Sequence, residues 1–285
     1  MRLLALLILL ALSLLQAPAA RGAEVLILQS SRSPVYAEAL RGFQAACKGA
    51  HQTLLLTDYT EIDVQRIVKE ESPRLVVAVG DKALAACRKL RDVPVLAMLS
   101  LSLNLRRQSP ENVGGVGMAI APEQYLKLFD ALGAKRIGVL YDPNKTGCYL
   151  KRALQDSRQL GLKLVAEPVG DPRELQAKLD RMRGNVDALW MLPDSTVVTT
   201  VNMEAFLLFS MTHNVPAVTF TSHYLKNGAA AALEIDHFDI GLQTGELALS
   251  LLKGGTARRV PTLDPRKIHL HKNESVLRKL RLKTS

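Results

Sequence analysis

Beyond residue 23 the chain has no apolar run approaching the roughly 18 residues that a membrane-spanning helix needs. Cysteine is scarce, with only Cys47, Cys87 and Cys148 present, and an odd, scattered set offers no disulfide framework. Catalytic signatures are missing as well: there is no G-x-S-x-G elbow, P-loop, H-E-x-x-H or C-x-x-C. His237, His269 and His271 could share one face, but no carboxylate or cysteine stands at metal-ligand spacing beside them. These absences favour binding over turnover; no enzyme, cofactor or metal is expected.

The composition is that of a globular protein. With 48% hydrophobic and 22% charged residues among 285, the chain is neither disordered nor a multispan membrane protein, and it has room for two domains. Residues 1–23 read as a signal peptide cleaved near residues 19–23, with Arg2 as the n-region, Leu3 to Leu15 as the h-region and Ala17-Pro18-Ala19 as the small-residue site. An uncleaved N-terminal anchor is the other reading. The mature chain is therefore expected to be exported. Net charge is +10 and concentrates at the end, where nine Lys/Arg face Asp264 and Glu274 between Arg258 and Ser285. That tail is either a solvated terminal helix or a segment drawn to an anionic membrane surface. It lacks interleaved aromatics, and export argues against nucleic acid.

The organising stretch is VDALWMLPDSTVVTT, from Val186 to Thr200. Its apolar run predicts a parallel strand buried on both faces, followed by a helix that starts near Ser195 or Thr196. The same alternation runs through the chain. Strands are predicted at Glu24–Gln29, Gln52–Thr57, Leu75–Val79 and Val93–Leu99, with helices from Pro34, after a Thr60 cap, and over Lys82–Leu90. Leu101–Asn112 reads as a loop, and Val113–Met118 as a short glycine-rich strand without the dinucleotide fingerprint. After a helix from Pro122, a second run begins with a strand at Ile137–Tyr141. Further strands follow near Leu162–Ala166, then at Ala217–Thr221, Ala229–Ile235 and Lys267–His271, with a helix over Asp236–Leu252. Cys47 and Cys87 fall in the helical patterns FQAAC and ALAAC on opposite faces of the first sheet, and Cys148 reads as a free thiol.

The pattern predicts two doubly wound α/β domains joined by a hinge. The first would comprise residues 24–119 plus 236–265, and the second 120–235 plus 266–285. In such sheets ligands bind where strand ends meet helix N-termini. The expected cleft walls are therefore Ser30 and Ser31, Gly80 and Asp81, Ser100, the loop from Tyr141 through Asn144 to Thr146, Asp194 with Ser195 and Thr196, and Thr221 with Ser222. Asp194 fits a ligand ammonium or a helix N-cap equally well, and Asp81 has the same two readings. Trp190 reads as core, and Tyr141 as the better aromatic candidate for ligand contact.

The stretches VLILQS, RLVVAVGDKALAA, GAKRIGVLYDPNKT, VDALWMLPDSTVV and VPAVTFTSHYLKNGAAAALEIDHFDIGLQTGELALSLLKGG together resemble the tryptophan/tyrosine-type substrate-binding proteins of ABC transporters. The resemblance spans the mature chain and implies a type I periplasmic-binding fold. It further implies a monomer that captures a small polar ligand, an amino acid in this family, and hands it to an inner-membrane permease. It adds Asp236 to the site, since Ile235-Asp236 stands where the family has an aromatic-Asp pair. His223 replaces the family's Asp after the late Ser or Thr. A ligand sensor that docks on a signalling receptor, and an enzyme on the same scaffold, are the alternative functions.

Overall fold

The computed structural model describes residues 24–105, 110–254 and 259–281; the leader read from residues 1–23 lies outside them. The first half runs β1 (Val25–Gln29), α1 (Pro34–Ala46), β2 (His51–Leu55), α2 (Val64–Glu71), β3 (Leu75–Val79), α3 (Asp81–Ala86), β4 (Val95–Met98), α4 (Leu101–Leu105) and β5 (Val113–Val116). The second runs α5 (Pro122–Ala131), β6 (Arg136–Tyr141), α6 (Gly147–Gln159), β7 (Lys163–Pro168), α7 (Leu175–Met182), β8 (Ala188–Trp190), α8 (Thr200–His213), β9 (Ala217–Thr219) and β10 (Ala231–Ile235). Then come α9 (His237–Gly254), β11 (Thr262–Leu263), β12 (Ile268–Lys272) and α10 (Glu274–Lys279).

Two six-stranded sheets result, ordered β11-β5-β4-β3-β1-β2 and β12-β10-β9-β8-β6-β7. All neighbouring strands are parallel except the β10–β12 pair. Central strands are apolar throughout because helices cover both faces: every residue of β3 and β8 is buried. In the first domain α1 packs on one face with Ala39 and Phe43, while α3 packs on the other with Ala83 and Leu84. The second domain repeats this, with α6 on one face and α8 on the other. Strand order therefore reverses in each sheet between β1 and β3 and between β6 and β8, which opens a crevice at the carboxyl ends of these strands. The chain passes between the sheets three times: between β5 and β6, β10 and β11, and β11 and β12.

Three local expectations need correction. Helix α8 begins at Thr200, not near Ser195, because the Asp194 carboxylate takes the Thr196 and Val197 N–H groups (2.9 and 3.4 Å) and holds them in a turn. Thr199 is the true cap, accepting from the Asn202 N–H at 3.1 Å. The segment after Ser100 is helical as α4, since the Asp81 side chain, from a different strand end, accepts its Ser102 N–H at 2.9 Å. Asp63, not Thr60, caps α2. The tail's charges are partly consumed: Arg266 is paired with Asp239 and Glu246, and Lys267 with Asp236. Cys47 and Cys87 are buried and Cys148 exposed, all as free thiols, and burial pushes the Cys87 thiol up to about 12.

Helix α9 lies against α1 at backbone contact distance. A Cβ on Gly241 would sit 1.7 Å from the Ala39 carbonyl oxygen, and one on Gly42 would sit 1.9 Å from that of Phe238. Only glycine permits this approach, which seats the crossing helix on the first domain. Gly241→Ala is expected to cost about 1–3 kcal/mol of stability, because backbone and not a side-chain tip must move. Gly170→Ala, with open space around the added carbon, is the control. Urea unfolding of both variants checks this; equal midpoints would refute the tight seating.

Candidate functional site

At the strand ends, the polar residues are occupied chiefly with one another. In the second domain the Asp194 carboxylate is buried and accepts from the Asp142 N–H at 2.8 Å and the Thr146 hydroxyl at 2.6 Å, besides its own loop's N–H groups. Asp142 answers by accepting from the Thr196 hydroxyl at 2.7 Å and the Asn144 N–H at 2.8 Å. Burial pushes the Asp142 carboxyl up, but the Thr196 and Asn144 bonds and the Lys145 charge outweigh it and hold it below its ordinary value. Lys145 donates to the Ser195 hydroxyl at 2.7 Å, tying the same two loops at the surface.

The first domain uses the same device. The Ser30 hydroxyl donates to the Val79 carbonyl at 2.7 Å and accepts from the Ala83 N–H at 3.0 Å, joining β1 to the β3–α3 turn. Asp81 accepts from the Ser100 hydroxyl at 2.6 Å, joining that turn to β4's end. Burial raises the Asp81 carboxyl, and the bonds from Ser100, Ser102 and Leu101 bring it below normal. Gly80 adopts φ +88, and a Cβ there would meet the Tyr36 and Ser30 hydroxyl oxygens at 2.4 and 2.7 Å.

Between the domains lies a cavity of 430 Å³. Val35 of α1 and Leu101 of α4 form its first-domain wall, and Met118, Ala119 and Ile120 of the crossing segment form its floor. Opposite stand Tyr125, Thr146, Tyr149, Pro193, Phe220, Thr221, Glu234 and Ile235, and His237 at the start of α9 joins the first-domain side. The wall is thus mostly apolar, with few polar groups, which is the usual make-up of a small-molecule site. Behind it sits Trp190, fully buried and packed on Tyr125 and Tyr149 at ring-centroid separations of 4.9 and 5.8 Å. The Tyr149 hydroxyl donates to the Ile120 carbonyl at 2.8 Å, which fixes that ring to the crossing segment.

Of the residues named from sequence, Thr146 and Thr221 line this cavity. Ser30, Gly80, Asp81, Ser100, Asp194 and Thr196 are held in the loop networks just described; Ser195 and Asn144 are exposed beside them. Ser31 offers its carbonyl to Gln29 at 2.7 Å. Ser222 contributes its N–H to Glu234 at 3.4 Å. Tyr141 lies on a separate groove with Pro143, Cys148 and Lys151, so the aromatic lining comes from Tyr125, Tyr149 and Phe220 instead. Asp236 caps α9 through the Asp239 N–H at 2.8 Å and pairs with Lys267 and His269 at 2.6 and 3.0 Å; although burial opposes it, these partners drive its carboxyl far down. Among the described residues no cluster of His, Cys, Asp or Glu is placed to hold a metal ion.

Glu234 and His237 were missed. The available signal was a charge inside an otherwise apolar strand, AALEI. Asp194 is neither an open ammonium partner nor the cap of α8, because its oxygens are spent on N–H and hydroxyl donors. Asp194→Asn puts an amide N–H against a backbone N–H whichever way it turns, so a loss of about 1–3 kcal/mol is expected. Thermal melting of the ligand-free variant measures it, and an unchanged midpoint would refute the network's role.

A tyrosine-binding protein of Clostridioides difficile (strain R20291) is 22% identical over 233 residues, 78% of this chain and 66% of that protein, so the match spans just under two thirds of the relative's length. Among solved structures, the ligand-free, open form of a substrate-binding protein with adhesive properties from Clostridium difficile superposes with a TM-score of 0.68 at 20% identity, covering 92% of this chain and 96% of that one. An ABC domain from Streptococcus pneumonia in complex with L-Trp gives 0.61 at 19% identity, covering 92% and 95%. Both share this two-domain fold. A family model for ABC transporter substrate binding proteins matches residues 56–285, and the chain belongs to that family.

Proposed function

We propose that this protein is an exported, monomeric receptor that captures an amino acid with an apolar side chain and delivers it to an ABC permease. The observation that carries this reading is the cavity between the two domains, apolar over most of its wall and bordered by elements of both. Export rests on the leader pattern of residues 1–23. The amino-acid class draws support from the tyrosine-binding relative and the tryptophan-bound structural neighbour. The moving bodies are residues 24–119 with 236–265, and 120–235 with 266–285, hinged at the three crossings. A ligand touching both walls gains its full contacts only when they close, so its binding energy drives closure. The absence of recognisable catalytic motifs and the family's binding role favour release of the ligand unchanged.

Native mass spectrometry of protein purified without added ligand is expected to reveal a retained small molecule. Small-angle scattering should then give a smaller radius of gyration when that molecule is restored to stripped protein. Trp190, the sole tryptophan, packs directly behind two cavity-lining tyrosines and should change its emission on occupancy. Neither compaction nor an emission change at saturation would overturn the capture reading.

A further inference from the structure

Among the described residues the cavity carries one acidic side chain, Glu234, and no lysine or arginine contributes to its wall. Glu234 sits on β10 between Leu233 and Ile235, and its carboxylate is held in place by neighbours on adjoining elements. One oxygen accepts from the Thr221 hydroxyl at 2.8 Å and the Ser222 N–H at 3.4 Å, and the other lies 3.2 Å from His271 Nε2. A carboxylate has about four acceptor sites, so these contacts orient the group and still leave it capacity for another donor. Burial pushes its carboxyl up, yet the Thr221, Ser222 and His271 contacts prevail and keep it ionised. The other acids of the strand ends are engaged: Asp236 by Lys267 and His269, and Asp142 and Asp194 by buried hydroxyl and N–H donors.

We propose that Glu234 is the specificity-determining residue of this cavity, selecting a ligand that carries a protonated amine on an apolar body. This rests on the capture reading above. An ammonium reaching Glu234 would form a charge-assisted hydrogen bond with a half-buried carboxylate. An anion without an amine would meet the carboxylate with no lysine or arginine among the described wall residues to balance it, and is disfavoured. Tyr125, Phe220 and the crossing segment then cover the apolar remainder of the ligand. Thr221 and His271 act as positioning residues, since each touches the carboxylate and fixes its direction.

Calorimetric titration with L-phenylalanine, phenethylamine and hydrocinnamate tests this, because the three share one apolar body and differ in amine and carboxylate. Both amines are expected to bind the wild-type protein, with hydrocinnamate at least about tenfold weaker. Glu234→Gln should weaken phenethylamine binding about tenfold or more, and Glu234→Asp should restore part of it. The wild-type comparison stands even where a variant folds poorly. Hydrocinnamate binding as tightly as the amines, an unchanged affinity in a folded Glu234→Gln protein, or no binding by either amine would each overturn the assignment. A retained natural ligand without an amine would overturn it too, while leaving the capture reading intact.

Discussion

Parallel strands that end side by side and send their helices to opposite faces leave backbone N–H groups beyond the last ladder bond, and those groups must find partners. Here carboxylates supply them. Asp194 gathers three backbone N–H groups and a hydroxyl from two loops, and Asp142 in turn accepts from the hydroxyl of Thr196 in Asp194's loop. Asp81 plays the same part between β3 and β4. In each case an aspartate after one strand completes the turn after its neighbour, so the crevice at the switch point has a fixed shape before any ligand arrives.

That arrangement displaces recognition outward. A strand-end aspartate already accepting from buried donors has little left for a ligand, and breaking its bonds would cost more than a new one returns. On the proposed reading recognition falls to the next layer: tyrosines on α5 and α6, the crossing segment, and the end of β10, where Glu234 and Ile235 line the cavity. Polar strand ends build the frame, and among the described residues a mostly apolar lining with one acidic side chain encloses the cavity. A site of this kind favours molecules that are amphipathic over those that are polar all round.

How far the amino-acid sequence reveals this follows from the range of each interaction. Buried parallel strands announce themselves as continuous apolar runs, and Pro34, Pro122 and Gly161 mark helix boundaries, so both sheets and their order of elements could be read directly. The start of α8 could not, because it depends on Asp194 capturing N–H groups that a local pattern assigns to the helix. Helix α4 was invisible for a related reason: its terminus is completed by Asp81, some twenty residues away in sequence. The lining failed for a different cause. Typical ligand-binding residues at strand ends were sought as polar side chains, whereas Val35, Met118 and Tyr149 look like ordinary core until two domains are brought face to face. Tyr141 and Tyr149 illustrate the point, since the strand-end tyrosine faces a surface groove and the helical one faces the cavity.

The glycine contact between α1 and α9 explains how such a cavity can open without the domains losing their own order. Helix α9 leaves β10 of the second sheet directly after Asp236, yet its buried face, with Ile240, Gly241, Thr244 and Gly245, is committed to α1 at backbone distance. On the hinged reading, bending would centre on the short stretch around Asp236, where the cap to Asp239 and the pairs with Lys267 and His269 gather two of the three crossings at one point. The third crossing carries Met118 to Ile120 along the cavity floor, tied to α6 by the Tyr149 hydroxyl. Glu234 stands two residues before the Asp236 pivot, and His237 one after it. If Glu234 selects the ligand as proposed, a charge arriving there acts on the strand that ends in the proposed hinge, and ligand choice and closure are coupled through one strand.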